Sequence, residues 1–348
     1  MLKPTFLLLC LSILNACGHI NYYSQAFYGQ WEIVKLSQPI ESIITHQSTD
    51  PLLKQKLRDV LKMRAFATET LYLPDNGSYT YYADLKRPFA VWSVFATPAL
   101  SLKPKQWCFF IVGCVSYRGY FSEAAAQTLA QKLRVQGYDV YLAGIPAFST
   151  LGWFEDPVLN TILAWPSYQI AGIIFHELAH QKLYISNDTA FNEAFAMILE
   201  YIGTERWLAQ YGTPQDIVAY QQARQRQQEF TNLVLTTRNH LEHIYAQNGP
   251  LAHKQRAKTA AFEQLRQQYQ QLKQQWGGFT GYDAWFAKDL NNAKLLSIVT
   301  YEDNVPAFRA LLEQVNGDLP TFYQIVAKLG ELPREERHVQ LEKIGKTN

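Results

Sequence analysis

Two histidines stand four residues apart, with a glutamate directly after the first, in "FHELAH" (175–180). The preceding "YQIAGIIF" is apolar, contains a small residue and lacks proline, which predicts a buried helix. Residues i and i+4 share one face of a helix, so His176 and His180 can hold one metal ion. The alternative is a core helix with two hydrogen-bonded histidines, but buried polar groups are costly without partners. This segment therefore constrains the fold more than any other.

A third ligand is expected from "DTAFNEAFAMILEYIG" (188–203), which predicts a helix capped by Asp188 or its neighbour. If the short connection turns this helix back antiparallel to the first, Glu193 points at both histidines. The alternative is a first-turn glutamate favoured by the helix dipole. Glu200 lies two turns further on and is expected either to bind a histidine N–H or to compete as a ligand. Asp188 is a second candidate for such an outer contact, although capping is its simpler role.

The chemistry of this pattern is hydrolysis. A catalytic zinc ion usually has three protein ligands and one open position. We therefore predict one Zn²⁺ on His176, His180 and Glu193. Glu177 lies about 100° further round its helix than His176, where its carboxylate can act as the general base. Zinc lowers the pKa of a bound water to about 7, which makes attack on a peptide carbonyl feasible at neutral pH.

"HELAH" followed by "NEAFA" resembles the gluzincin metallopeptidases. More narrowly, the runs "WCFFIVGCVSYRGYFSEAA", "GIPAFSTLGWFEDPVL" and "DTAFNEAFA" resemble a bacterial family of zinc-dependent aminopeptidases, often lipoproteins. The resemblance extends to "LNNAKLLSIVTYEDNVPAF". It implies an aminopeptidase with the same three ligands and the same base. Two features of other gluzincins are missing: Met197 replaces a common aspartate, and no G-x-M-E-N motif is present.

The resemblance also implies a strand edge that pairs with an extended peptide. Phe148, Ser149 and Thr150 are the candidates, although this stretch could equally be a surface loop. Tyr301 is the first candidate to stabilise the oxyanion, with Tyr117 or Tyr120 as alternatives. Either Glu155 or Asp156 could bind a substrate amine.

The amino terminus predicts export. A lysine precedes the short apolar stretch "TFLLLCLSIL", and "LNACG" (14–18) resembles the lipobox of bacterial lipoproteins. Residues 1–16 would be the signal peptide, and Cys17 would be acylated. An ordinary cleaved signal and an uncleaved anchor are the alternatives. Gly18 after the cysteine favours the outer membrane by the same resemblance, so the protein would face the periplasm.

Two cysteines remain in the mature chain, Cys108 and Cys114. An even pair in an exported protein predicts a disulfide. The alternative is two small buried residues in one strand, because the run around them is continuously apolar.

The coarse pattern predicts an α+β fold. Short strands with one helix form a small mixed sheet, which packs on the gluzincin-like active-site helix pair, and helical periodicity dominates from Pro166 onward. We expect a catalytic zinc domain over 17–203 and a mainly helical region over 204–348 that completes the cleft. Residues 213–275 predict a long helical hairpin.

Charge limits the partners. The formal net charge is +2 and no polybasic run is present, which argues against a nucleic-acid partner. The expected partners are a peptide or protein substrate and a membrane reached through the lipid anchor. The leading expectation is an envelope aminopeptidase. The alternatives are an envelope endopeptidase of protein quality control and a non-catalytic zinc-binding scaffold lipoprotein.

Overall fold

The structure is a computed structural model that describes residues 22–109, 113–147, 149–150, 152–287, 289–299 and 304–346. The predicted signal peptide (1–16) and three predicted functional residues, Cys17, Phe148 and Tyr301, lie outside the described residues.

Helices form most of the fold. They are α1 (22–36), α2 (Ile40–Thr45), α3 (Pro51–Glu69), α4 (Glu123–Val135), α5 (Asn160–Leu163), α6 (Ser167–Lys182), α7 (Thr189–Tyr211), α8 (Pro214–Ala246), α9 (Leu251–Gln275), α10 (Asp283–Ala287), α11 (Asn292–Val299), α12 (Val305–Gln314), α13 (Leu319–Glu331) and α14 (Arg334–Lys346). The strands are β1 (Gln38–Pro39), β2 (Tyr81–Ala83), β3 (Val91–Pro98), β4 (Trp107–Phe109), β5 (Gly113–Val115), β6 (Tyr117–Tyr120), β7 (Tyr138–Ile145) and β8 (Val158–Leu159).

The strands form three small sheets. β3 lies at the centre of one sheet and pairs antiparallel with β6 on one side and β7 on the other. A second sheet has the order β1-β2-β8, with a parallel pair between β2 and β8. β4 and β5 form a two-stranded ribbon. Together with the helices they confirm the predicted α+β class with a helical carboxyl-terminal part.

The apolar run around the two cysteines is not the single buried strand that its composition suggests. It divides into β4, β5 and β6, and Gly113 starts β5 with a φ of 75°, a conformation that glycine adopts readily. Cys108 and Cys114 face each other across the ribbon and are joined by a disulfide. The pairing of two strands solves the spacing problem that a single strand would pose.

The main hydrophobic core lies around α6 and α7. Phe175 and Phe195 pack there with Phe308 of α12 and Phe322 of α13. Residues from both sides of position 203 share this core, and α7 itself crosses that position. The division into a catalytic part (17–203) and a carboxyl-terminal part (204–348) stays a prediction.

The predicted helical hairpin forms from α8 and α9 and has its own aromatic cluster. Tyr269 stacks on Phe286 with ring centroids 3.9 Å apart, and Phe230 packs nearby. A salt bridge of 2.6 Å between Lys258 of α9 and Asp139 of β7 joins this hairpin to the central sheet. Within the described part of the chain, no helix has the length and apolar character needed to cross a membrane.

Candidate metal centre

The two motif histidines lie on the buried face of α6, against α7. Contacts run in opposite directions along the two helices, since Gly172 approaches Glu200 and Thr204 while His180 approaches Glu193. A Cβ on Gly172 would lie 3.2 Å from the Glu200 Cγ and 3.2 Å from the Thr204 Oγ1. The lack of a side chain at position 172 lets α6 and α7 approach closely. The two helices run antiparallel, as the short connection between them predicts.

Three ligand atoms converge between these helices. The Nε2 atoms of His176 and His180 are 3.2 Å apart, and the Glu193 Oε2 lies 3.4 Å from the first and 3.7 Å from the second. Two ligand atoms about 2.0–2.1 Å from one tetrahedral zinc ion lie roughly 3.3 Å apart. The three separations therefore fit a single divalent ion, and these residues form the one group among the described residues that could hold a metal.

The charges of the group support the same conclusion. Burial would raise the pKa of Glu193, but hydrogen bonds and charges from His176 and His180 outweigh it and lower the pKa to about 2. Burial would lower the pKa of His176, yet the hydrogen bonds that it donates to Glu193 and Glu200 raise it well above its usual value. A protonated imidazole thus faces an ionised carboxylate. A divalent cation could take the place of the imidazole proton, because metal ligands bind in their deprotonated forms.

Glu200 lies behind His176, in one of the two roles expected from the sequence. Its Oε2 is 3.0 Å from the His176 Nδ1, the nitrogen that points away from the three converging atoms. A carboxylate on the outer nitrogen of a metal-binding histidine fixes the tautomer and raises ligand basicity. Glu200 is placed to orient His176 rather than to compete with Glu193.

Asp188 has a different role from the outer contact proposed for it. Its carboxylate caps α7 by accepting a hydrogen bond from the Phe191 N–H, 3.3 Å away. It also forms a buried ion pair with Arg337 and a 3.0 Å contact with the His338 Nε2. Asp188 thus joins α14 to the start of α7, and it supports Glu193 only indirectly, through the position of that helix.

Asn192 is a site-supporting residue that sequence reasoning missed. Its side chain accepts a hydrogen bond from the Ile185 N–H and donates one to the Ile185 carbonyl, both at 2.8 Å. This pair fixes the turn between α6 and α7 next to Glu193. The signal was present in "NEAFA", where a buried asparagine beside a ligand needs partners.

Glu177 lies beside the histidines and lines the same cavity. Burial raises its pKa, the charges of His176 and His180 lower it, and Glu193 and Asp156 raise it again, so the net shift is upward. A carboxyl group with a raised pKa suits proton transfer near neutral pH. The geometry gives Glu177 the surroundings expected of a general base.

The cavity has a volume of about 810 Å³ and extends from the three converging side chains to α1 and the sheets. Its lining is mostly apolar and aromatic, with Phe95, Phe109 and Tyr120 on the sheet side. This combination of a few polar groups and an apolar wall is typical of ligand sites.

Two tyrosine hydroxyls are candidates for oxyanion contacts. Tyr117, one of the predicted alternatives, lines the cavity, and burial raises its pKa with the charges of Glu193 and Glu177 adding to the shift. Tyr184 lines the same cavity and was not predicted, although it stands four residues after His180. Its pKa is raised by burial and by Glu193.

The predicted substrate edge is only partly beside the cavity. Strand β7 ends at Ile145, and of the predicted residues Ser149 lines the cavity. The Thr150 N–H is already donated to the Asp156 Oδ2, 3.0 Å away, which removes Thr150 as a backbone donor to a peptide. Asp156 is itself buried and also accepts hydrogen bonds from Ser149 and Gln181, so it is a structural anchor and not an amine-binding group.

Comparison with protein families gives a match. A family model described as "Putative aminopeptidase" matches residues 21–341, which is most of the chain. Searches among curated proteins and solved structures find no match.

Proposed function

We propose that this chain, which belongs to the aminopeptidase family matched over residues 21–341, is a zinc-dependent peptidase acting at His176, His180 and Glu193. The observation that carries the proposal is the convergence of three ligand atoms, all within 4.8 Å of one another, beside a large cavity. Two imidazoles and one carboxylate form a donor set that suits zinc and leaves a fourth position for substrate.

Each residue of the group has a distinct task in such a reaction. Bound zinc would supply a Lewis acid and lower the pKa of water at the site. Glu177 would accept the proton from the attacking water and return it to the leaving nitrogen. Burial keeps the Tyr117 hydroxyl protonated, so it can donate a hydrogen bond to the charge that develops on the carbonyl oxygen.

The cavity lining bears on the class of peptidase. The family description favours removal of amino-terminal residues, which requires a group that binds a free α-amine. Among the described residues that line the cavity, the carboxylates are Glu177 and Glu193, and both already have roles. This observation favours a second candidate function, an endopeptidase that cleaves extended or misfolded envelope proteins.

A non-catalytic scaffold is a weaker alternative, because a purely structural metal site has no need of a carboxylate at position 177.

The proposed location is the cell envelope, with the lipid anchor on Cys17 and the catalytic part in the periplasm. Support comes from the sequence "LNACG" and from Gly18, which favours the outer membrane. Intact-protein mass spectrometry should find acyl chains on an amino-terminal Cys17. A mature protein that begins at any other residue would refute the anchor.

The decisive experiment pairs two substitutions at the site. Glu177→Gln should keep bound zinc at the wild-type stoichiometry and lower kcat by about 10²–10⁴-fold, since it removes only the base. Glu193→Gln should lose both zinc and activity, since it removes a ligand. Zinc is measured by elemental analysis and turnover with peptides that have free or blocked amino termini.

The control is Glu263→Gln on the exposed face of α9, which should change neither quantity. Undiminished turnover in Glu177→Gln would refute the role of this residue. Cleavage of blocked peptides as fast as free ones would exclude the aminopeptidase and leave the endopeptidase.

A further inference from the structure

The first described helix, α1, has two different faces. Its inner face packs on the protein: Tyr22 stacks on Phe109 with ring centroids 5.4 Å apart, and Ile33 is buried with Ala83 and Leu159. The one acidic residue of the helix, Glu32, forms a 2.7 Å ion pair with Arg87. These contacts fix the orientation of α1 on the fold.

The outer face of α1 is apolar and exposed. Tyr23, Phe27, Trp31 and Val34 are spaced by three or four residues and so share one face, with 48%, 66%, 58% and 44% of their surfaces exposed. Tyr28, 69% exposed, extends this surface at one flank. Adjacent exposed aromatic residues of this kind mark a binding surface rather than ordinary solvent-facing positions. We call Tyr23, Phe27, Trp31 and Val34 the α1 aromatic stripe.

The position of the α1 aromatic stripe in the chain points to a membrane. Only residues 18–21 separate α1 from Cys17. Four residues span at most about 14 Å when fully extended. An acyl chain on Cys17 would therefore hold α1 close to the headgroup region of the bilayer.

The composition of the stripe suits that region. Tryptophan and tyrosine favour the membrane–water interface, where the ring is buried and the polar atom stays hydrated. The stripe carries no charge, and Lys35 is the only basic residue of α1. The fifteen residues of α1 that the structure describes (22–36) are too few to span a bilayer but enough to lie along its surface.

We propose that the α1 aromatic stripe docks into the lipid headgroup region and holds the catalytic cavity at the membrane surface. The same helix contributes Tyr22, Gln25 and Ala26 to the cavity wall, and Tyr23, at the amino-terminal end of the stripe, lines the cavity as well. Docking would thus place the cavity next to the bilayer and favour peptide segments that emerge from it. The proposal builds on the predicted acylation of Cys17, and its test does not depend on peptidase activity.

The test uses tryptophan fluorescence of the full-length processed protein in vesicles of phosphatidylethanolamine and phosphatidylglycerol, with or without brominated acyl chains. Bromine quenches only tryptophans that reach the bilayer. The wild type should be quenched, and Trp31→Phe should lose most of that quenching, because phenylalanine keeps the surface apolar but removes the reporter. Trp153→Phe is the matched control, since Trp153 is 68% exposed but lies outside α1, and it should keep the quenching.

Each outcome either supports or overturns the docking of α1 into the bilayer. Equal quenching in wild type and Trp31→Phe would overturn the docking of α1. The docking would also be overturned if lipid leaves Trp31 unquenched while a rising protein concentration shields it from aqueous iodide. That result would assign the stripe to contact with a second copy of the chain. Quenching through Trp31 in a protein whose mass shows no acyl groups would uphold the docking and refute the lipid anchor alone.

Discussion

The helix side of the cavity carries charge, whereas the side formed by α1 and the sheets is aromatic and apolar. The charged side comes from one stretch of chain, residues 173–193 on α6, α7 and their connection. The apolar side is assembled from separate segments between residues 22 and 149. The two sides are thus built in different ways: the candidate reacting groups by spacing within two helices, and the apolar surface by packing of segments that are distant in the chain.

The first way to test this contrast is at Tyr117, the hydroxyl on the sheet side that is proposed to donate a hydrogen bond to the oxyanion. Tyr117→Phe deletes only a hydroxyl and should lower kcat by about 10²-fold, because one hydrogen-bond donor to the oxyanion is lost. Zinc content should not change. Steady-state kinetics on the zinc-loaded enzyme measure the effect.

Tyr184→Phe is the matched control for that substitution. If it lowers kcat more than Tyr117→Phe does, the oxyanion contact belongs to the helix side, and the sheet side serves binding alone.

A smaller effect is expected from the support of a ligand. Glu200→Gln keeps the shape but weakens the hydrogen bond to the His176 Nδ1 and removes its charge, so zinc affinity should fall about 10–100-fold. Competition with a metal-binding dye measures it. At saturating zinc, kcat should return close to the wild-type value. A permanent loss of kcat would show that Glu200 acts in the reaction and not on the metal.

The smallest effect is expected on the apolar side. Phe109→Ala should lower kcat/KM about 5–10-fold for peptides with a large apolar side chain, and less for peptides with alanine there. Phe109 is only partly buried, so the fold should persist. Phe89→Ala, at a residue that does not line the cavity, is the control. An equal loss for large and small side chains would mean that this side shapes the fold and not the preference for substrate.

The sequence alone predicted the residues on the charged side of the cavity in detail. The spacing of His176, Glu177 and His180 on one helix needs no tertiary information, because helix geometry alone places them. Glu193 and Glu200 required one further assumption, that the next helix turns back antiparallel. The α+β class followed from the periodicity of the segments.

Other features could not be read from the sequence. Two contacts that support Glu193 are of this kind. Asn192 bonds to the turn at Ile185, and Asp188 pairs with Arg337 on a helix almost 150 residues further along the chain. The apolar run around Cys108 predicted one strand, but glycine and the disulfide turn it into a ribbon. Which of the described tyrosines share a cavity with Glu193 depended on tertiary packing.

The sequence by itself determined which residues are the candidates for metal binding and proton transfer, because their spacing matches the repeat of an α-helix. Only the tertiary structure decided which aromatic residues form the opposite side of the cavity and which face of α1 stays exposed. Those outcomes depend on how strands and helices far apart in the chain pack together, and local periodicity carries no record of that packing.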